Sequence, residues 1–148
     1  MPGYRASSLR TRLLLAVLAA VSLLAVFTTR VSRKMPDFQV YWTAGQRVIG
    51  AEPLYRDEDE HYQFKYLPAF ALMAAPLGAI PLPLAKALWF SISAVLMVGL
   101  LWLSALAISP PHRPLVLLVV LTFLAMAKFY AHELVLGQVN LLFGVVVM

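Results

Sequence analysis

Uncharged apolar runs separated by short polar stretches dominate the chain. Leu13 to Thr29 carries no charge and closes on Arg30, and Ala87 to Pro111 is again uncharged and long. Leu115 to Ala127 is shorter and closes on Lys128, Phe129 and Tyr130, and Leu141 to Met148 runs apolar to the last residue. A helix needs about 20 apolar residues to cross the hydrocarbon core. These runs therefore predict helical spans over about 13–30, 85–108 and 114–130, with a truncated one over 139–148. The first run exceeds the roughly 7–15 residues of a signal-peptide core and is followed by Arg-Val-Ser-Arg-Lys instead of a small-x-small cleavage pattern, so it reads as an uncleaved span. Lys128 beside two aromatics suits an interface, its stem in lipid and its ammonium in water. An apolar run at the terminus is what an N-terminal piece of a longer polytopic protein would show.

Two intervening segments have a different pattern. From Asp37 to Gly50, apolar or aromatic residues recur at Phe38, Tyr41, Trp42, Gly45, Val48 and Ile49, the spacing of one helix face. With polar Gln39, Gln46 and Arg47 between them, 37–50 reads as an amphipathic helix in the headgroup region. The segment 66–83 is membrane-length and uncharged but holds Pro68, Pro76, Pro81 and Pro83. An internal proline costs a helix about 3 kcal/mol, so this is either a kinked span or a broken, interfacial or re-entrant element. If it does not span, Asp37 and Glu133 share a face; if it spans, they part. The charges favour the first arrangement, with the arginine-bearing N-terminus cytoplasmic and the Asp37 loop extracytoplasmic. The expected fold class is all-α: a polytopic transmembrane helical protein with an interfacial amphipathic helix in its first extracytoplasmic loop.

Composition narrows the function. Charged residues make up 13% of the chain, against about 25% in a soluble domain, and this points to an integral membrane protein. The net charge of +5 does not signal nucleic acid: Arg5, Arg10 and Arg12 precede the first span, and Arg30, Arg33 and Lys34 form only a short flanking cluster. With no cysteine, thiolate catalysis, disulfides and cysteine-ligated metals are excluded for these residues.

The candidate chemistry centres on Asp37. Pro36 suits a first helical turn, so Asp37 would lie at a helix N-terminus, where the dipole favours a carboxylate by about 0.3–1 kcal/mol. Such a group can take a proton from a hydroxyl as it attacks an anomeric carbon; it can equally be a simple first-turn residue. Glu133, beside His132, is an ionisable residue at the membrane surface that either orients a substrate or sits in a solvated loop. Gln138 and Asn140 offer amides for sugar hydroxyls or for interhelical bonds. Lys65, and less so Arg47 and Arg56, could balance a phosphate, although interfacial cations commonly meet lipid headgroups. Tyr41 and Trp42 are aromatics suited to shaping a site or anchoring in the interface. The run Asp57, Glu58, Asp59, Glu60, His61 lacks the spacing of a calcium loop and reads as a solvated loop. No metal or other cofactor is expected.

The pattern Asp-Phe-x-x-Tyr-Trp-x-Ala-Gly at Asp37 to Gly45 resembles glycosyltransferase family 87, the polyprenyl-phosphomannose-dependent membrane mannosyltransferases. The likeness continues through Gly50 to Tyr55, Phe64-Lys65-Tyr66-Leu67-Pro68, Ala75-Pro76-Leu77, Trp89 and Gly137-Gln138-Val139-Asn140, covering roughly Met35 to Asn140. Ala51 and Leu67 depart from it, standing where Gly and Pro are common. The resemblance implies a C-type glycosyltransferase fold in a bacterial plasma membrane. It also implies a polyprenyl-phosphate sugar donor, with mannose as the sugar, a glycolipid or glycan acceptor, and Asp37 as catalytic base. Tyr41, Trp42, Lys65, Glu133, Gln138 and Asn140 are then the candidate substrate-binding residues. These residues alone are expected to be inactive, because about four spans leave the donor's lipid tail uncovered. A non-enzymatic transporter or lipid-binding membrane subunit is the alternative, with 66–83 lining a cavity.

Overall fold

A computed structural model describes residues 3–107 and 115–148. Among these residues the chain is all helical: α1 Gly3–Val26, a π turn Phe27–Val31, α2 Pro36–Ile49, a 3-10 turn Asp57–Tyr62, α3 Pro68–Gly78, α4 Leu82–Ala107, α5 Leu115–Leu136 and α6 Asn140–Val147. Three stretches are long and apolar enough to cross a membrane, Leu9–Val31, Leu82–Ala107 and Leu117–Leu136. The predicted link containing His112 and Arg113 lies outside the described residues.

The proline-rich segment does not form a helix of membrane length. α3 holds 11 residues, about 16 Å at 1.5 Å per residue, half of a roughly 30 Å hydrocarbon core. Pro68 opens α3 and Pro83 sits in the first turn of α4, positions where the missing N–H costs nothing. Pro76 falls near the end of α3. The prolines therefore separate two helices, and α4 begins at Leu82, slightly before residue 85.

α3 packs on α2, and two glycines let the helices touch backbone to backbone. A Cβ on Gly45 would stand 2.5 Å from the Ala74 carbonyl oxygen, and one on Gly78 would stand 2.6 Å from the Gln46 nitrogen. Trp42 locks the far end of this pair, its indole N–H donating to the Ile80 carbonyl at 3.0 Å. The outward side chains Leu67, Leu72 and Met73 stay exposed.

The core lies where helix ends meet. Val31, Met35, Phe38, Tyr41, Ala74, Ala85, Phe90, Leu134 and Val139 bury one another there, while Leu13, Leu14, Leu18 and Leu24 on α1 and Leu121 and Leu124 on α5 remain exposed. Lipid-facing apolar residues have no need of a protein neighbour. The Met35 N–H donates to the Val135 carbonyl at 3.0 Å, and the Lys86 ammonium donates to Ser32 and Lys34 carbonyls. The end of α1, the start of α4 and the end of α5 thus share one level, and the three long helices alternate in direction.

Candidate functional site at the convergent helix ends

α1 does not end cleanly. Its last turn widens to a π turn closed by the Ser32 N–H on the Phe27 carbonyl at 2.8 Å. The hydroxyls of Thr28, Thr29 and Ser32 bond back to carbonyls one turn earlier, a pattern that bends helices. The chain then reverses at Met35, which is left-handed (φ 63, ψ 53) and fully buried. Pro36 restarts the helix, and Asp37 stands in the first turn of α2. Its carboxylate is partly exposed and has no hydrogen-bond or ion-pair partner among the described residues.

The second half of the site is the turn after α5. That helix runs past residue 130, where the sequence reading ended it, because a cation and two aromatics at an interface need not stop a helix. Gly137 stops it instead, at φ 72, with the Gln138 N–H reaching back to the Glu133 carbonyl at 3.1 Å in the six-to-one bond of a Schellman cap. Glu133 therefore belongs to the last turns of α5 and does not sit in a following loop. Its Oε1 accepts from Asn140 Nδ2 at 2.7 Å, and the same amide donates to Gln138 Oε1 at 3.0 Å. Glu133 Oε2 is buried without a partner among the described residues, a costly state for a carboxylate oxygen.

The two halves are held together closely. A Cβ on Gly137 would lie 2.7 Å from the Phe38 Cβ and 3.1 Å from the Met35 Cε. Trp89 of α4 donates its indole N–H to the Gly137 carbonyl at 3.0 Å and packs on Phe38 with ring centroids 5.3 Å apart. Tyr41 is 2% exposed, sits edge-on to Tyr66, Phe70 and Trp89, and shares a 3.0 Å hydrogen bond with the Tyr66 hydroxyl. Burial chiefly, then Tyr66, then the charges of Asp37 and Glu133, raise the Tyr41 phenol well above its ordinary value, so it stays neutral. Both carboxylates thus act on one buried hydroxyl.

Glu133, Gln138 and Asn140 are therefore bonded into one cluster, and the start of α2, where Asp37 stands, packs on the turn that holds them. Tyr41 lies beneath them as packing, and the Trp42 donor is engaged at Ile80. Lys65 is exposed and has no partner among the described residues. Arg47 grips Asp59 through two bonds of 2.5 and 2.7 Å and also donates to the Leu54 carbonyl, while Arg56 pairs with Glu52 at 2.6 Å. Both guanidiniums are thus committed to folding the 52–62 loop. The sequence reading passed over Trp89 as a donor, Gly137 as the close contact and Lys86 as a buried cation. An indole and a lysine near the start of an apolar span were the only signals.

This architecture defines a helical integral membrane protein with two carboxylates and two amides at one end of its alternating long helices. The model of glycosyltransferase family 87 matches residues 64–148, more than half of the chain, and the protein belongs to that family. The matched segment contains Lys65, Glu133, Gln138 and Asn140; Asp37 lies before it, between Met35 and Phe38, which contact the end of α5. No curated protein and no solved structure matches the chain.

Proposed function

We propose that the protein transfers a hexose, mannose, from a polyprenyl-phosphate donor to an extracytoplasmic glycolipid or glycan acceptor, inverting the anomeric centre. The observation that carries this reading is the packing of the start of α2, which bears Asp37, on the Glu133–Asn140 turn at one end of the alternating long helices. A donor with a polyprenyl tail delivers its sugar at that level, where the chain has ionisable groups and the apolar lengths of α4 and α5 have none. No acidic or basic residue follows Lys86 before α4 ends at Ala107, and none precedes Lys128 in α5, whereas a transporter needs polar groups near the midplane.

In this reading Asp37 accepts the proton of the acceptor hydroxyl as that oxygen bonds to the anomeric carbon. The bond from that carbon to the phosphate oxygen breaks, and polyprenyl phosphate leaves with the electron pair. A carboxylate without internal partners is free to take that proton. Glu133, Gln138 and Asn140 orient sugar hydroxyls, Lys65 meets the donor phosphate, and Tyr41 and Trp42 fix the wall behind Asp37. The N-terminus is cytoplasmic and the site extracytoplasmic, in a bacterial plasma membrane.

The test uses membranes carrying the protein at full length, incubated with labelled polyprenyl-phosphomannose. Asp37→Asn at equal expression is expected to lower transfer by about 10²–10⁴-fold, the usual worth of a general base. Transfer at the wild-type rate would remove Asp37 from the reaction.

A further inference from the structure

Lys86 is the one buried cation among the described residues, 5% exposed near the start of α4. Its ammonium meets no carboxylate there. It donates instead to the carbonyls of Lys34 at 2.6 Å and Ser32 at 3.2 Å, the last acceptors before the chain reverses at Met35. A lysine so buried gives up hydration that two neutral carbonyls only partly replace, and an apolar side chain would pack there at lower cost. The place where its charge acts is the exit of α1. A cation is favoured at the negative end of that helix, and the carbonyls it holds belong to the residues that set the left-handed turn and, three positions after Lys34, Asp37.

We infer that Lys86 is a positioning residue for Asp37, stapling the 32–35 turn to α4 so that the carboxylate is held against the Glu133–Asn140 turn; this rests on Asp37 being the base. The segment is tied on its other side by the Met35 N–H to Val135 of α5 and by Phe38 against Gly137. α5 and α4 therefore hold the start of α2 from two directions. Removing the α4 tie leaves a left-handed, side-chain-bearing residue, a conformation that persists only when its surroundings enforce it, with a single long-range backbone bond. The turn then relaxes, and Asp37 moves with it.

The test compares Lys86→Met and Lys86→Arg in the full-length protein, each in the wild-type and Asp37→Asn backgrounds. Lys86→Met is expected to lower kcat by about 10²-fold, the cost of an ångström of misplacement, with the donor KM unchanged. It should lower nothing further in the Asp37→Asn background. Amide hydrogen exchange should quicken across 31–38 and stay unchanged across 68–78. Lys86→Arg keeps the charge and the donors and should hold exchange close to wild type, which serves if the methionine variant does not accumulate.

A raised donor KM at constant kcat would overturn the inference and make Lys86 a direct contact to the donor phosphate. Equal fold losses in both backgrounds would also overturn it, as would unchanged exchange. If Asp37→Asn turns over normally, the function proposed above falls by itself, and the exchange rates still decide whether Lys86 holds the turn.

Discussion

Gly137→Ala tests the joint between the two halves of the site. Two costs act at once. The residue sits at φ 72, where a side chain costs about 1–2 kcal/mol. Its new Cβ would also lie 2.7 Å from the Phe38 Cβ, an atom fixed to the α2 backbone that no rotamer change can move. Overpacking of that kind costs about 1–3 kcal/mol, so the sum is about 2–5 kcal/mol against a total stability of roughly 5–15 kcal/mol. Relief requires the start of α2 to retreat by about 1 Å to reach ordinary contact. Asp37 is the residue before Phe38 and retreats with it, which lowers kcat by about 10²-fold. The assay pairs a thermal melt of the purified full-length protein with transfer of labelled sugar in membranes. Gly137→Asn separates the two costs, because asparagine tolerates the left-handed region but carries the same Cβ: stability should partly return while the rate does not. Gly99→Ala is the control, since a Cβ there meets nothing within 4 Å. Normal melting and normal transfer in Gly137→Ala would refute the geometry by which Asp37 joins the site.

Two further outcomes follow from the surrounding contacts. The Arg47 guanidinium holds the Asp59 carboxyl below its ordinary value. The pair's contribution is therefore complete above the ordinary carboxylate pKa of about 3.9 and disappears as pH falls through the lowered value. Proteolytic nicking of the 52–62 loop should rise in that acid window, and Asp59→Asn should nick readily at every pH; a pH-independent wild type would contradict the pairing. Tyr41→Phe removes the hydroxyl shared with Tyr66 and is expected to cost about 1 kcal/mol, lowering the melting temperature with little change in donor KM. A large rise in KM would mean that the hydroxyl meets substrate.

Patterning alone carried the long helices, since a charge-free run of membrane length has few other fates. It also carried the α2 helix, whose six apolar positions fall on one face, and the place of Asp37 in a first turn behind Pro36; the choice of Asp37 as base came from the family resemblance. The element boundaries were less legible. Lys128, Phe129 and Tyr130 mark an interface in composition, yet the hydrogen-bond ladder continues until Gly137 turns left-handed, a conformational event that hydropathy does not register. Four prolines allowed either a kinked span or a break, and the decision came from packing. The backbone contact between Gly45 and Gly78 holds α3 along α2, and a helix so short cannot also cross a membrane. The site itself needed the tertiary structure. Asp37 and Glu133 lie 96 positions apart, and what joins the segments that carry them is a backbone bond from Met35 to Val135, a glycine without a Cβ under Phe38, and an indole from α4. None of these is a property of the local sequence. Residue types determine which groups can ionise or donate; which of them meet is decided by where three helices end.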